Sequence, residues 1–179
     1  MKKVAVFLRA VNLAGKRLVM ADFKRALEAT GYPDAQTVVA TGNAVISAKG
    51  ADAALEAAIA AGLEKTLGAS PEVFVRDGAE LAAIVAGNPF PRMAADDPSH
   101  LVVVFLKGEA GKAEVEALRA KIQGPEEVAA GPRCLYASYP DDIGHSKLTA
   151  ATIERALRLR GTARNWNTVR KMAELTAAP

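Results

Sequence analysis

Two apolar hexads constrain this chain more than any other feature. Val4-Ala5-Val6-Phe7-Leu8-Arg9 and Val102-Val103-Val104-Phe105-Leu106-Lys107 match in size pattern, and each closes on a cation. Short continuous apolar runs of this kind form buried strands. Each hexad opens one half of the chain, and a similar order of elements follows it. In the first half a helix carries Met20, Phe23 and Leu27 on one face and closes at Gly31. Strands at Thr37–Thr41 and Ala44–Ala48 then flank Gly42-Asn43, a dipeptide suited to a tight hairpin turn. A second helix starts at Asp52, turns Leu55, Ile59, Leu63 and Leu67 inward, and stops at Gly68. The strand Glu72–Arg76 enters a helix through Asp77-Gly78-Ala79-Glu80, which has the form of a capping box. That helix buries Leu81, Ile84 and Val85 and ends at Gly87.

The second half runs through a strand at Leu101–Lys107 and a helix with Val115, Leu118 and Ile122. Strands near Val128 and at Arg133–Ser138 flank Gly131-Pro132, and a helix carrying Ile153 and Leu157 ends at Gly161. A short strand and a terminal helix complete it. Gly15-Lys16 aligns with Gly111-Lys112, and Arg76-Asp77 aligns with Arg164-Asn165, which makes Asn165 the N-cap of the last helix. The expected fold is therefore α+β, as two tandem ferredoxin-like (βαββαβ) α/β sandwich units, each an antiparallel sheet with helices on one face. The units span residues 1–92 and 98–179, and the boundary falls in Pro89–Ser99, a segment rich in Pro, Asp and Ala.

With 179 residues, half of them hydrophobic and a quarter charged, the chain can bury a real core and is not a disordered polymer. Its longest apolar runs, such as Leu101–Leu106, fall far short of the ~20 residues of a membrane span, so no membrane partner is expected. Arg9, Asn12 and Lys16 interrupt the start before a signal peptide's apolar region could form. The single Cys134 fits a reducing compartment, and a cytoplasmic location is expected. The net charge of +3 is unevenly spread. Lys2, Lys3, Arg9, Lys16, Arg17, Lys24 and Arg25 face only Asp22 within the first stretch, and a second basic run begins at His145. Basic ends favour an anionic partner, although solvated basic helix faces would look the same in sequence.

Metal chemistry is not expected, because His100 and His145 lie far apart and Asp141-Asp142 reads as a solvated turn. Cys134 alternates with apolar neighbours and lacks a nearby cation to activate it. No cofactor is expected. Gly15-Lys16-Arg17 lacks the spaced glycine and hydroxyl of a P-loop, and no G-x-G-x-x-G follows a strand.

Several short motifs carry a family resemblance. They are Leu8-Arg9-Ala10-Val11-Asn12-Leu13-Ala14-Gly15-Lys16, Thr41-Gly42-Asn43, Asn88-Pro89-Phe90, Ser146-Lys147-Leu148 and Thr162-Ala163-Arg164-Asn165-Trp166-Asn167-Thr168. In this order and spacing the chain resembles the domain of unknown function 1697 family of bacterial proteins. Ala10 and Ala14 stand where that family usually carries glycine. The resemblance implies no particular reaction.

The same motifs supply the candidate binding residues. Arg9, Asn12 and Lys16 follow the first strand, and Thr41 and Asn43 flank the hairpin turn. Ser146 and Lys147 precede a helix, with Ser146 or Thr149 as its cap, an arrangement suited to an anion. Arg164, Asn165, Trp166 and Asn167 surround the only tryptophan. The expectation is a small anionic ligand, phosphate- or nucleotide-like, held in a cleft between the two units, with catalysis left open. Nucleic-acid binding ranks second, because the strand Ala44–Ala48 offers no aromatic for base stacking. A non-catalytic oligomeric interaction module is the third class, and sequence does not give the oligomeric state.

Overall fold

A computed structural model of the chain describes residues 1–9, 12–13, 16–39 and 42–177, the side chains of Asn12, Leu13 and Lys16 excepted. The first half contains β1 (Lys2–Arg9), the two-residue strands β2 (Asn12–Leu13) and β3 (Lys16–Arg17), α1 (Met20–Ala29), β4 (Gln36–Thr37), β5 (Asn43–Ala48), α2 (Ala53–Leu67), β6 (Glu72–Asp77) and α3 (Gly78–Ala86). After α4 (Pro91–Asp96) come β7 (Leu101–Leu106), α5 (Lys112–Lys121), β8 (Glu127–Gly131), β9 (Cys134–Ser138), α6 (Ala150–Leu157), β10 (Gly161–Asn165) and α7 (Trp166–Thr176). The chain is mixed α+β, with antiparallel four-stranded sheets in the orders β4-β5-β1-β6 and β10-β7-β9-β8 among the described residues. It divides into two compact units, Met1–Ala82 with Met172–Pro179, and Ala83–Lys171.

In the first unit Val4, Val6 and Leu8 of β1 join Phe23 and Leu27 of α1 and Ile59 and Leu63 of α2 in one apolar core. Ala5 and Phe7, which alternate with them, are buried as well. A strand buried on both faces needs no polar alternation, which is why the hexad reads as a continuous run. Helix α2 begins as its sequence requires. The Asp52 carboxylate accepts from Leu55 N at 2.9 Å, and Gly68 closes the helix at φ 71°. The capping box at α3 is reciprocal, with Glu80 N donating to Asp77 Oδ1 and Asp77 N to Glu80 Oε2, both at 3.0 Å.

Among the described residues strand β6 pairs with β1 alone, which leaves its other edge without a ladder partner there. Glu56 of α2, buried despite its charge, closes that edge by accepting from Val75 N at 3.0 Å. Sequence periodicity gives no hint of this role. Glu56→Ala should lose about 1–3 kcal/mol of unfolding free energy, because Val75 N–H would stay buried without its acceptor. Glu56→Gln keeps the acceptor and should lose less, as measured by urea denaturation.

The hairpin between the two central motifs of this unit differs from expectation. Among the described residues strand β4 is Gln36–Thr37 and Asn43 belongs to β5 and not to the turn, while Ala40 and Thr41 of the connection between them lie outside the described residues. Val39 adopts φ 57° and Gly42 φ 71° in that connection. Elsewhere in the unit, Lys3 Nζ and Ser47 hydroxyl both donate to the Asp34 carboxylate and hold its pKa down to about 2. A carboxylate lowered from 3.8 contributes stability above that pH and loses it as pH falls toward 2. Asp34→Asn should therefore flatten the acid limb of the stability profile across this window, measured by denaturant melts at stepped pH.

The second unit has its own core of Val104, Leu106, Val115, Leu118, Leu135, Ile153 and Leu157. Its sheet repeats details of the first. Phe7 pairs with Asn43 and Phe105 with Cys134, while Leu8 N donates to Gly42 O and Leu106 N to Arg133 O, both at 2.8 Å. Arg133, at φ 48°, follows Pro132 in the turn between β8 and β9. Tyr136 and Tyr139 are buried, and each satisfies its hydroxyl on a backbone carbonyl, Ile84 O at 2.7 Å and Leu148 O at 2.9 Å.

Helix α6 closes earlier than expected. Arg158, at φ 54°, is its C-cap, whereas Gly161 already starts β10. Gly161 answers to packing instead, since a Cβ there would stand 2.7 Å from Val104 Cγ1. Arg158→Gly should raise stability by up to about 1 kcal/mol by relieving the left-handed conformation, read from the melting temperature. The expected linker segment also holds a short helix, α4, started by Pro91 at its first position.

Candidate functional site

Of the amino-terminal candidates, Arg9 and Asn43 have described side chains, and both find partners within the first unit. Arg9 ends β1 and reaches Glu72 across the sheet at 3.4 Å. Its basic neighbours are also paired, Lys2 with Asp77, Lys3 with Asp34, Lys24 with Glu28 and Arg25 with Asp22. The charge run seen in sequence is thus largely balanced by acids brought in from other elements and from α1 itself. Asn12 and Lys16 lie in the small β2–β3 ladder, where Asn12 pairs with Arg17 and Leu13 with Lys16. Their side chains, and Thr41, Ala10, Ala14 and Gly15 altogether, lie outside the described residues. Asn43 is fully buried, and its side-chain amide donates to Val38 O at 3.1 Å, bracing the connection that contains Val39.

The tryptophan motif sits at the junction of β10 and α7. Arg164 is buried, and its guanidinium donates to Thr162 Oγ1 and Ala163 O, each at 2.8 Å. Burial pushes its pKa down to about 10, which still leaves it charged at neutral pH. Asn165 caps α7 by accepting from Thr168 N at 3.0 Å. Asn165→Ala should cost about 1 kcal/mol, again read by denaturant melts. Trp166 is only 4% exposed, and its backbone N–H donates to Pro98 O at 3.2 Å. Asn167 is exposed on the first turn of α7. Arg76, at the aligned position in β6, is also buried, with its guanidinium donating to Val75 O at 2.7 Å. Sequence alignment marked Arg76 as the counterpart of Arg164 but gave no sign that both would be interior.

Ser146 and Lys147 have a different setting. They follow a 3-10 turn at Ile143–His145, which Asp142 caps by accepting from Gly144 N at 2.7 Å. Thr149, not Ser146, is the N-cap of α6, accepting from Thr152 N at 3.2 Å. This frees Ser146 for two other bonds. Its hydroxyl donates to Glu126 Oε1 and accepts from Leu148 N at 3.1 Å. Lys147 is exposed, with its ammonium 3.4 Å from Gln123 Oε1.

These residues border a half-open hollow of about 260 Å³ within the second unit. Leu118, Ile122 and Leu148 give it apolar walls, while Lys121, Lys147 and His145 contribute basic groups. Glu126, Gln123 and Thr152 complete its polar lining. The charge of Glu126 reaches inward, since it adds to burial in raising Tyr139 to about 12. Lys121, Gln123 and Glu126 were not legible as site residues, because nothing in a linear pattern shows that the end of α5 meets the loop before α6. Among the described residues no group of three or more His, Cys, Asp and Glu side chains is placed to hold a metal ion.

The family model for proteins of unknown function designated DUF1697 matches residues 1–136. The chain belongs to the DUF1697 family. The matched stretch holds the amino-terminal motifs, whereas Ser146, Lys147 and the tryptophan motif of this DUF1697 protein lie beyond it. The solved structure of conserved bacterial protein SP0830 from Streptococcus pneumoniae is similar over 98% of this chain and 99% of that one, with a TM-score of 0.71 and 15% identity. At that identity the likeness concerns the fold alone. No curated protein matches the chain. No helix among the described residues is long and apolar enough to cross a membrane.

Proposed function

We propose that this DUF1697 protein is a bacterial, cytosolic binder of a small anionic ligand, held at the hollow bordered by Ser146 and Lys147. One observation carries the reading. Of the candidate residues whose side chains are described, these two line a cavity of ligand scale that also holds Lys121 and His145. The others described are engaged in ion pairing, capping or burial, Asn167 excepted, which is exposed on α7. A lysine ammonium is a mobile point charge well suited to phosphate, and Lys121 and Lys147 both stand in the lining of this hollow.

The scaffold of this proposal is a pair of ferredoxin-like βαββαβ units derived by duplication. In each sheet the first main strand lies between the third and the fourth, and the second occupies an edge. The shared Phe7–Asn43 and Phe105–Cys134 pairings and the matching carbonyl bonds at Gly42 and Arg133 support a common origin. Nucleic-acid recognition through an open sheet is less well supported. The aromatics on the strands, Phe7, Phe74, Phe105 and Tyr136, are all buried and present no stacking surface.

The test is a titration of the full chain with inorganic phosphate and small organic phosphates, followed by amide shifts in NMR. Residues around 123–126 and 145–148 should shift, and Lys147→Ala and Lys121→Ala should each weaken binding about two- to fivefold, the range of an exposed charge contact. If no phosphate perturbs these amides, the reading fails.

A further inference from the structure

The hollow described above contains a resident negative charge as well as its cations. Glu126 is held there by the Ser146 hydroxyl on one oxygen. Its other oxygen lies close over Gly124, where an added Cβ would stand 2.2 Å from Oε2. The half-buried carboxylate is therefore folded back over Gly124 at the lining of the hollow, and the missing side chain at Gly124 leaves it room. Lys147 makes its polar contact with Gln123 Oε1, not with this carboxylate, so the two charges have not simply cancelled one another. A site built for a bare polyanion would gain nothing from a fixed carboxylate, which repels such a ligand.

Size adds a second restriction. A volume of about 260 Å³ falls below the ~300–1,000 Å³ of pockets that enclose drug-sized ligands. A nucleotide would leave much of its surface outside. The apolar walls, Leu118, Ile122 and Leu148, suit a short hydrocarbon segment between two charged ends. Resting on the anion-binding reading, we infer that the ligand is a small aminoalkyl phosphate. Its phosphate contacts Lys121 and Lys147, and its protonated amine contacts Glu126.

The experiment measures the affinity of the full chain, by calorimetry or NMR titration, for O-phosphoethanolamine, inorganic phosphate, ethanolamine and AMP. O-Phosphoethanolamine should bind about tenfold or more tighter than the other three, since it alone is small and fills both charge positions. Glu126→Gln keeps an acceptor for Ser146. It should weaken O-phosphoethanolamine several-fold and at the same time tighten inorganic phosphate, because the repelling charge is gone. A structural role for Glu126 would not change the two affinities in opposite directions. Gly124→Ala, which displaces the carboxylate through a movable side chain, should reproduce the loss for O-phosphoethanolamine.

Phosphate binding without any preference for the amine, or equal weakening of both ligands by Glu126→Gln, overturns this inference and leaves the anion reading standing. AMP binding as tightly as O-phosphoethanolamine overturns it as well. No binding by any phosphate overturns both.

Discussion

Trp166→Ala will lower the unfolding free energy by about 3–5 kcal/mol, the range for deleting a large buried aromatic. The indole is 4% exposed at the first position of α7, so truncation leaves a void instead of a trimmed surface. A ligand-wall tryptophan would behave differently, keeping the melting curve while binding fell. The chain has one tryptophan, so fluorescence of the parent protein reports the burial of this residue, while the variants that lack it are followed by circular dichroism. In the native protein the emission should be blue-shifted and poorly quenched by iodide, moving to the exposed wavelength only on unfolding. Trp166→Phe retains most of the apolar volume and should recover the larger part of the loss. If Trp166→Ala unfolds within about 0.5 kcal/mol of the parent, as a surface substitution would, the packing account of this residue is wrong.

The tryptophan motif combines a local feature that sequence declares with a burial that it does not. Asn165 as a helix cap follows from alignment with Asp77, because capping is a local property of one residue and the helix it starts. The same holds for the Asp52 and Gly68 ends of α2 and for the capping box at Asp77 and Glu80. These features depend on neighbours within four residues, and the chain declares them in order. The core was legible for a similar reason, since strand and helix periodicity fix which of Phe23, Ile59, Leu63, Leu118 and Ile153 face inward.

Charge was not legible in that way. The basic residues of the first stretch suggested an anion site, yet Lys2 finds Asp77 and Arg9 finds Glu72 across the sheet. Such partners are set by strand order, which a run of cations does not encode. The hollow is hidden in the sequence for the same reason. Ser146 and Lys147 were visible as a motif, but Lys121, Gln123 and Glu126 acquire meaning only when the end of α5 meets the loop before α6. Glycines misled in both directions. Gly161 looked like a helix stop but serves strand packing, while the actual stop is Arg158 in a left-handed conformation that sequence preferences argue against.

Gly78→Ala should destabilise the first unit by about 1–3 kcal/mol, and Gly78→Val by more, the usual cost of forcing volume into a packed site. A Cβ at this position would stand 2.1 Å from Thr176 O and 2.9 Å from its carbonyl carbon. Both atoms are backbone, so a side-chain rotation cannot relieve the clash. The end of α7 would have to move away from the start of α3. This physical demand also accounts for a difference between the halves, where Gly78 stands at the position that Trp166 takes in the second. Helix propensity alone makes the opposite forecast, since alanine is favoured over glycine in a helix by about 1 kcal/mol. Urea melts of Gly78→Ala therefore give a result whose sign decides between the two. Hydrogen exchange adds a local reading, as the amides of residues 172–177 should lose protection first. A stabilised Gly78→Ala, with unchanged exchange there, would mean that the close approach of Thr176 to Gly78 is not a feature of the folded protein.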